Sequence, residues 1–353
     1  RNKFTNILEF EKLILKKHPD DLNDRKVRGN IFEDLTYLYF FTFKELYNLK
    51  EIYRNRSNEI PNRYKKLFNI YDDFGVDGLG ITNNNEGLAW QSKFIKDRSP
   101  PSYQDITKLY HQGKNCNYNY IVANSVKLSD SKIYYSNPKH KQILYDKFLE
   151  LNSDDWLAIN KIANNISFKK KYYIPNKFQN EIVEKVTKGL QNNNRGKLIA
   201  ACGTGKTLLS IWINEKLKNN KKILFVVPSL LLMRQTLQKW VQQSKKKYSY
   251  LCICSDSQII KKLKQEEDEF DIDSTQIDIP LTDSKEIKKW LLNNRTDVVI
   301  FSTYQSLPSI KSALANTNIE FDLIVFDEAH RTAGAKYEEN FSLALNNKNI
   351  KSR

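Results

Sequence analysis

The sequence contains no uninterrupted apolar run of the roughly 18 residues that a membrane-spanning helix needs, and its first residues do not resemble a secretory leader. Cysteine is scarce, with 4 in 353 residues. Cys116, Cys202, Cys252 and Cys254 show neither metal-ligand spacing nor a disulfide framework. Cys252 and Cys254 alternate along an apolar run, which puts them on one face of an expected strand as small buried residues of a reducing compartment. No repeat of solenoid period occurs. Acidic residues are outnumbered, 41 Asp+Glu against 57 Lys+Arg, leaving a net charge of +16. A surplus of that size favours an anionic polymer as partner, nucleic acid first, although a Lys/Asn/Ile-rich composition produces the same excess by itself. A hydrophobic share of 40% and an aromatic share of 12% are enough for packed cores and argue against disorder. The length is too great for one ordinary core, so two domains are expected. The chain begins at Arg1 and stops soon after a motif expected in mid-protein, so a fragment of a longer polypeptide is expected.

Apolar spacing predicts helices around Leu8, Leu13 and Ile14 and over 31–49. Residues 75–94 switch to strand character, two short strands flanking the turn-rich 83–87. A helix over 103–111, a strand over 118–124 and a helix over 141–151 follow. The basic stretch 169–171, ending in Pro175, looks like a connection, giving domains at 1–165 and 176–353 joined by a linker at 166–175. Beyond it strands and helices alternate. Strands are expected at 198–201, 223–227, 250–254, 298–302 and 323–326, and helices at 206–217 and 230–243. That order specifies a parallel sheet covered on both faces. The acidic run 266–269 reads as a solvated loop.

The octapeptide Ala200-Ala201-Cys202-Gly203-Thr204-Gly205-Lys206-Thr207 lies between an apolar run and a helical pattern, the context a phosphate loop requires. Gly203 and Gly205 let the backbone turn its N–H groups toward phosphate oxygens, and the helix start adds a favourable dipole. Thr204, between the two glycines, is expected among the nucleotide-binding residues. Lys206 is expected to reach the β- and γ-phosphates of ATP, and Thr207 to hold Mg²⁺. Asp327-Glu328-Ala329-His330 follows the apolar run 321–326. A carboxylate at the C-terminal end of a parallel strand stands where such sheets bind ligands. Asp327 is therefore expected to coordinate Mg²⁺ and Glu328 to polarise the attacking water.

From about Pro175 onward the chain resembles the first RecA-like domain of superfamily-two DEAH helicases and translocases. Ala200, in place of the usual first glycine, is a form common in that superfamily. The resemblance implies that Gln179, in Phe178-Gln179, reads adenine and that His330 couples nucleotide state to the DNA side. It also implies that Pro228-Ser229-Leu230 through Gln235, and Ser302-Thr303-Tyr304-Gln305-Ser306, touch the nucleic-acid backbone. Thr303 by itself reads better as a buried strand-end threonine. In the family a second RecA-like domain supplies an arginine finger and closes the ATP cleft, so it is expected as a partner of this unit.

The first half carries a second constellation. Gln91 and Lys93 are two apart on an expected strand and share a face, and a hairpin can bring Asp77 beside them. A carboxylate, an amide oxygen and a lysine converging there can hold a divalent metal and activate water. Glu33, on the first long helix, could reach the same place. Gly29 to Glu33, Gly75-Val76-Asp77-Gly78 and Gln91-Ser92-Lys93 resemble the three motifs of Mrr-type PD-(D/E)xK nucleases. That resemblance implies a restriction-endonuclease-like α/β domain ahead of the RecA-like P-loop domain with its mostly parallel sheet. The order is similar to that of type I and type ISP restriction–translocation enzymes, as are residues 327–334 and the segment from Leu281 to Trp290. The implied protein is a DNA-dependent ATPase with an attached endonuclease using Mg²⁺ or Mn²⁺, with DNA as partner and no membrane. Its implied place is the cytoplasm of a bacterial host. The alternative is a viral or mobile-element helicase, in a nucleus or viral factory, whose nuclease-like domain only docks DNA.

Overall fold

The computed structural model describes residues 4–19, 22–56, 59–70, 75–128, 137, 139–167, 170–193, 195–201, 203–218, 220–254, 280–281, 283–294 and 297–328. Cys202, the acidic run 266–269, Thr282, and Ala329, His330 and the residues after them lie outside that set. The chain divides into two compact units, Arg1–Lys169 and Lys170–Arg353. Among the described residues no helix is long and apolar enough to cross a membrane.

The first unit is built on a five-stranded sheet in the order β1-β2-β3-β4-β5. The strands are β1 (Leu49–Arg54), β2 (Gly78–Thr82), β3 (Gly87–Lys93), β4 (Tyr118–Ala123) and β5 (His140–Ile143). β1, β2 and β3 pair antiparallel, whereas β3-β4 and β4-β5 are parallel. Alternation along the strands sorts the side chains into two layers. Leu88, Trp90, Tyr120 and Val122 pack under α1 (Ile7–Lys17) and α2 (Leu22–Thr42), against Phe10, Phe32, Leu35 and Phe40. Ala89, Ile121 and Ala123 pack instead against Tyr64 and Phe68 of α3 (Asn62–Phe68) and Ile106 and Leu109 of α4 (Tyr103–Gln112). Each fully buried aromatic or leucine contributes about 1.5–3 kcal/mol of transfer free energy. Gly78 is required by one close approach, because a Cβ there would stand 2.0 Å from Cζ2 of Trp90. The unit closes with α5 (Tyr145–Leu149) and α6 (Ser153–Ala163), the latter started by a capping box between Asn152 and Asp155.

Two expectations are corrected here. The helix expected over 31–49 ends at Thr42; Asn48 adopts a left-handed φ of 54°, and Leu49 enters β1. The helix expected over 141–151 is instead the strand β5 followed by the short α5. Pairing of 140–143 with β4 overrides the local helical pattern, and it buries Ile143 completely.

The second unit is a parallel five-stranded sheet in the order β10-β6-β9-β7-β8. Its strands are β6 (Lys222–Val227), β7 (Ser249–Ile253), β8 (Pro280–Leu281), β9 (Val298–Thr303) and β10 (Leu323–Phe326). Its helices are α7 (Lys177–Asn192), α8 (Lys206–Leu217), α9 (Leu230–Gln243), α10 (Ser284–Asn293) and α11 (Leu307–Leu314). Leu224, Val226, Leu251 and Ile300 face Ile287 and Leu291 of α10 and Ile310 and Leu314 of α11. Phe225 and Phe301 point the other way, onto Trp240 of α9. Helices therefore cover both faces, as a parallel sheet demands. Cys252 and Cys254 are buried thiols. The strand expected at 198–201 is not formed: Leu198 and Ile199 are exposed, Ile199 at 84%. An apolar run becomes a strand only beside an edge that accepts its N–H and C=O groups, and among the described residues no strand pairs with it.

Candidate functional site

At the start of α8 the backbone turns through two glycines in the left-handed region, Gly203 and Gly205, both at φ 81°. Gly205 is the N-cap, no side chain caps the helix, and the first N–H groups of α8 are left for a ligand. A Cβ at Gly203 would meet nothing within 4 Å, so the loop presents an open concave backbone. Two bonds brace it: Thr204 Oγ1 donates to the Ala201 carbonyl at 2.8 Å, and Gln179 Nε2 donates to the Thr204 carbonyl at 3.1 Å. Gln179 Oε1 accepts from Asn176 N at 3.0 Å in the capping box of α7, so both ends of this amide are engaged. Thr207 follows Lys206 in the first turn of α8, and Phe178 is exposed beside Gln179.

The carboxylates arrive from β10. Asp327 N continues the ladder by donating to the Val226 carbonyl at 2.9 Å, and its Oδ1 accepts from Glu328 N at 3.0 Å. Glu328 takes a φ of 51°, a left-handed conformation uncommon for a residue with a Cβ. Its Oε1 stands 3.2 Å from Lys206 Nζ. Burial, and then the neighbouring Glu328 charge, push the Asp327 carboxyl above its ordinary value; the Glu328 N–H and Lys206 oppose that rise. Two adjoining carboxylates in a half-buried place fit a divalent cation, which would relieve both effects. His330 lies outside the described residues.

The segments expected to touch nucleic acid are ordered by their own bonds. Ser229 caps α9 through Leu232 N at 3.3 Å. Ser302 and Thr303 are fully buried at the end of β9, Thr303 as a strand-end threonine whose hydroxyl lies 2.9 Å from that of Ser306.

In the first unit Asp77, Gln91 and Lys93 stand at one end of the β2-β3 hairpin. The register pairs Gly78 with Trp90, so one step further Asp77 lies opposite Gln91. Asp77 Oδ2 accepts from Ser92 N at 2.6 Å. Gln91 is 4% exposed, and its Oε1 is buried without a hydrogen-bond partner. An orphaned buried acceptor beside a carboxylate fits a metal ligand. Among the described residues, however, no group of three or more His, Cys, Asp and Glu gathers as a metal cage. Lys93 Nζ stands 2.9 Å from Oδ1 of Asp105, on α4. Burial would raise that carboxyl, but the Ser102 hydroxyl and Lys93 outweigh it and hold Asp105 below its ordinary value. Glu33 stands on α2, which covers the opposite face of the sheet, and pairs with Arg56 just past β1 at 3.5 Å. Sequence reasoning missed Asp105 and Arg56. For Asp105 the signal was present, a serine three residues earlier starting the helix that follows the Gln91/Lys93 strand.

A parallel sheet with helices on both faces, a glycine-turned loop feeding a helix through a lysine, and paired carboxylates past a neighbouring strand end are the features of a P-loop ATPase domain, and the comparisons make it one of the superfamily-two helicase type. The chain belongs to the family described as Type III restriction enzyme, res subunit, whose model matches residues 148–351, more than half of it. It is 27% identical over 170 residues to the protein named "Probable helicase A859L" of African swine fever virus, in a South African tick isolate and in the Badajoz strain. That match covers 48% of this chain and 18% of the viral protein. Among solved structures, "ATP-dependent Type ISP restriction-modification enzyme LlaBIII bound to DNA" resembles it with a TM-score of 0.75 and 26% identity, over 95% of this chain and 22% of that one. The chain thus spans about a fifth of the length of each of these relatives.

Proposed function

We propose that this chain is the nuclease and ATP-binding part of an ATP-driven DNA translocase of the restriction-enzyme kind. The observation that carries the motor half is the meeting of Lys206 and Glu328 at 3.2 Å, beside Asp327 and below the open loop of Gly203 and Gly205. Loop N–H groups and Lys206 bind the triphosphate. Gln179 would read adenine by exchanging one of its present bonds. Thr207 and Asp327 would hold Mg²⁺, which when bound neutralises phosphate charge and lowers the barrier to its transfer. Glu328 orients the attacking water and accepts its proton. Turnover on this reading calls on a second RecA-like domain to close the cleft.

The first unit is, on the same reading, a metal-dependent endonuclease. Asp77 and Gln91 would hold Mg²⁺ or Mn²⁺, which when bound polarises the scissile phosphate, and Lys93 orients the nucleophile, whereas Glu33, on the opposite face and paired with Arg56, stays outside this set. The buried, unpartnered Gln91 Oε1 is what favours this over a domain that only docks DNA. Resemblance to the type ISP enzyme extends over 95% of the chain, whereas the viral helicase matches 48% of it, which favours the restriction reading over a viral-type helicase. The net charge of +16 and the DNA-bound state of that enzyme support DNA as the partner. The test is ATP-dependent cleavage of long DNA by the full-length protein, with Lys206→Ala and Asp77→Ala alongside. Cleavage lost in Asp77→Ala with its ATPase intact supports both halves, and no DNA-stimulated ATPase in the wild type defeats the motor reading.

A further inference from the structure

We propose that Tyr304 is the positioning residue that sets Glu328 for the hydrolysis step, a role that rests on the ATPase reading above. Tyr304 follows β9 directly and is 2% exposed. Its hydroxyl donates to the backbone carbonyl of Asp327 at 2.9 Å, across 23 residues of sequence. That carbonyl belongs to the peptide joining Asp327 to Glu328, so the bond fixes the plane from which Glu328 departs.

Glu328 needs such a hold. Its φ of 51° is unfavourable for a side chain with a Cβ and persists only where the surroundings over-determine it. The backbone of Asp327 and Glu328 is gripped at three points. Asp327 N donates to the Val226 carbonyl, Glu328 N donates to Asp327 Oδ1, and the Asp327 carbonyl accepts from Tyr304. Of the three, the Tyr304 bond alone comes from a side chain outside the Asp327–Glu328 pair. Tyr304 is itself held. Its ring stacks on Phe326 with centroids 6.2 Å apart and planes at 26°, and the hydroxyls of Thr303 and Ser306 close the turn around it at 2.9 Å. Burial first, and then the charges of Asp327 and Glu328, push its phenol well above the ordinary value, so it remains a donor at every working pH. The turn 303–306 and the water-orienting carboxylate are thereby one mechanical unit, in which displacement of the turn displaces Glu328.

Tyr304→Phe keeps the buried ring and removes one hydroxyl. In the full-length protein with ATP, Mg²⁺ and DNA, kcat for ATP hydrolysis is expected to fall about tenfold or more, since a 1 Å misplacement near a reacting centre can cost on the order of 10²-fold. KM for ATP and equilibrium nucleotide binding are expected to stay near wild type. A split of that kind belongs to an interaction that acts on the reacting geometry and not on ground-state binding. Unchanged kcat in folded Tyr304→Phe overturns the proposal, and so does a rise in KM at constant kcat. If Tyr304→Phe does not fold, Ser306→Ala loosens the same turn with Tyr304 in place. It should lower kcat in the same direction, and wild-type kcat in a folded Ser306→Ala overturns the proposal. A wild type without ATPase activity would remove the ATPase reading and this role with it, whereas an active wild type with an equally active Tyr304→Phe removes this role alone.

Discussion

Lys206 and Glu328, separated by 122 positions in sequence, stand 3.2 Å apart between Nζ and Oε1. One opens α8 and the other lies two residues past the end of β10, so the contact joins two elements far apart in sequence. The two charges neutralise each other here, and on the proposed function binding of a triphosphate would draw the lysine away and release the carboxylate.

That exchange yields the first prediction. Lys206→Ala should abolish DNA-stimulated ATPase activity in the full-length protein. Glu328→Gln, which keeps the shape and one hydrogen-bonding oxygen, should retain ATP binding and lose hydrolysis by about 10²-fold or more, the usual contribution of a positioned base. Steady-state ATPase rates beside nucleotide-binding titrations decide it. Wild-type turnover by Lys206→Ala would end the motor assignment.

Asp327 gives a prediction about stability. Its carboxyl is raised above 3.8 by burial and by Glu328, so in the absence of nucleotide and metal the fold disfavours its ionised form. A raised acid contributes stability below its unfolded pKa and loses it as pH rises through the folded value. At pH 7 the ionised group therefore costs stability, and Asp327→Asn should melt above wild type while being inactive. The advantage should shrink as pH falls toward 4 and below, where Asp327 is protonated in both folded and unfolded states. Thermal melts across that range check the sign; an Asp327→Asn protein less stable than wild type at pH 7 would contradict it.

The motifs proposed to carry chemistry stand out in the sequence because their spacing is fixed by short-range geometry. Gly203, Gly205 and Lys206 must sit within one turn, and Gln91 and Lys93 within one strand. What escaped the sequence lies at edges. β1 and β5 are the two edge strands of the first sheet, and they read as Leu-Lys-Glu-Ile-Tyr-Arg and His-Lys-Gln-Ile. Edge strands carry charge because one side of their ladder meets solvent, so they lack the apolar alternation that identifies a central strand. Residues 198–201 err in the other direction, being apolar enough for a strand but without a neighbour to pair with among the described residues. Long-range relations such as Lys93 with Asp105, or Tyr304 with Asp327, leave no periodic trace at all.

The charge of +16 predicts the character of DNA binding. If phosphate contacts dominate, affinity should fall linearly on a log–log salt plot, with a slope of about −0.9 for each neutralised phosphate on duplex DNA. Fluorescence anisotropy from low to physiological salt measures it. A flat dependence would remove phosphate contact as the main source of affinity.

The nuclease prediction rests on the chemistry of Asp77 and Gln91. One ionised carboxylate and one neutral amide oxygen make a site of low charge, so metal affinity should be weak. Mn²⁺, which generally binds such oxygen donors more tightly than Mg²⁺, should give the stronger activity. Gln91→Glu adds a negative charge at the buried oxygen and should tighten metal binding, whereas Gln91→Leu removes the acceptor and should lose cleavage. Lys93 pairs with Asp105 at 2.9 Å. Lys93→Ala should abolish cleavage and leave ATPase activity intact, because the lysine lies in the first unit and Lys206 in the second. The assay needs the full-length protein, long DNA, ATP and either metal, since meeting or stalled translocases can bring two nuclease domains together. Asp77→Ala should hydrolyse ATP at the wild-type rate and cut nothing. Cleavage that persists in Asp77→Ala would place the nuclease elsewhere, and a wild type that moves on DNA but never cuts it would leave the first unit as a docking module.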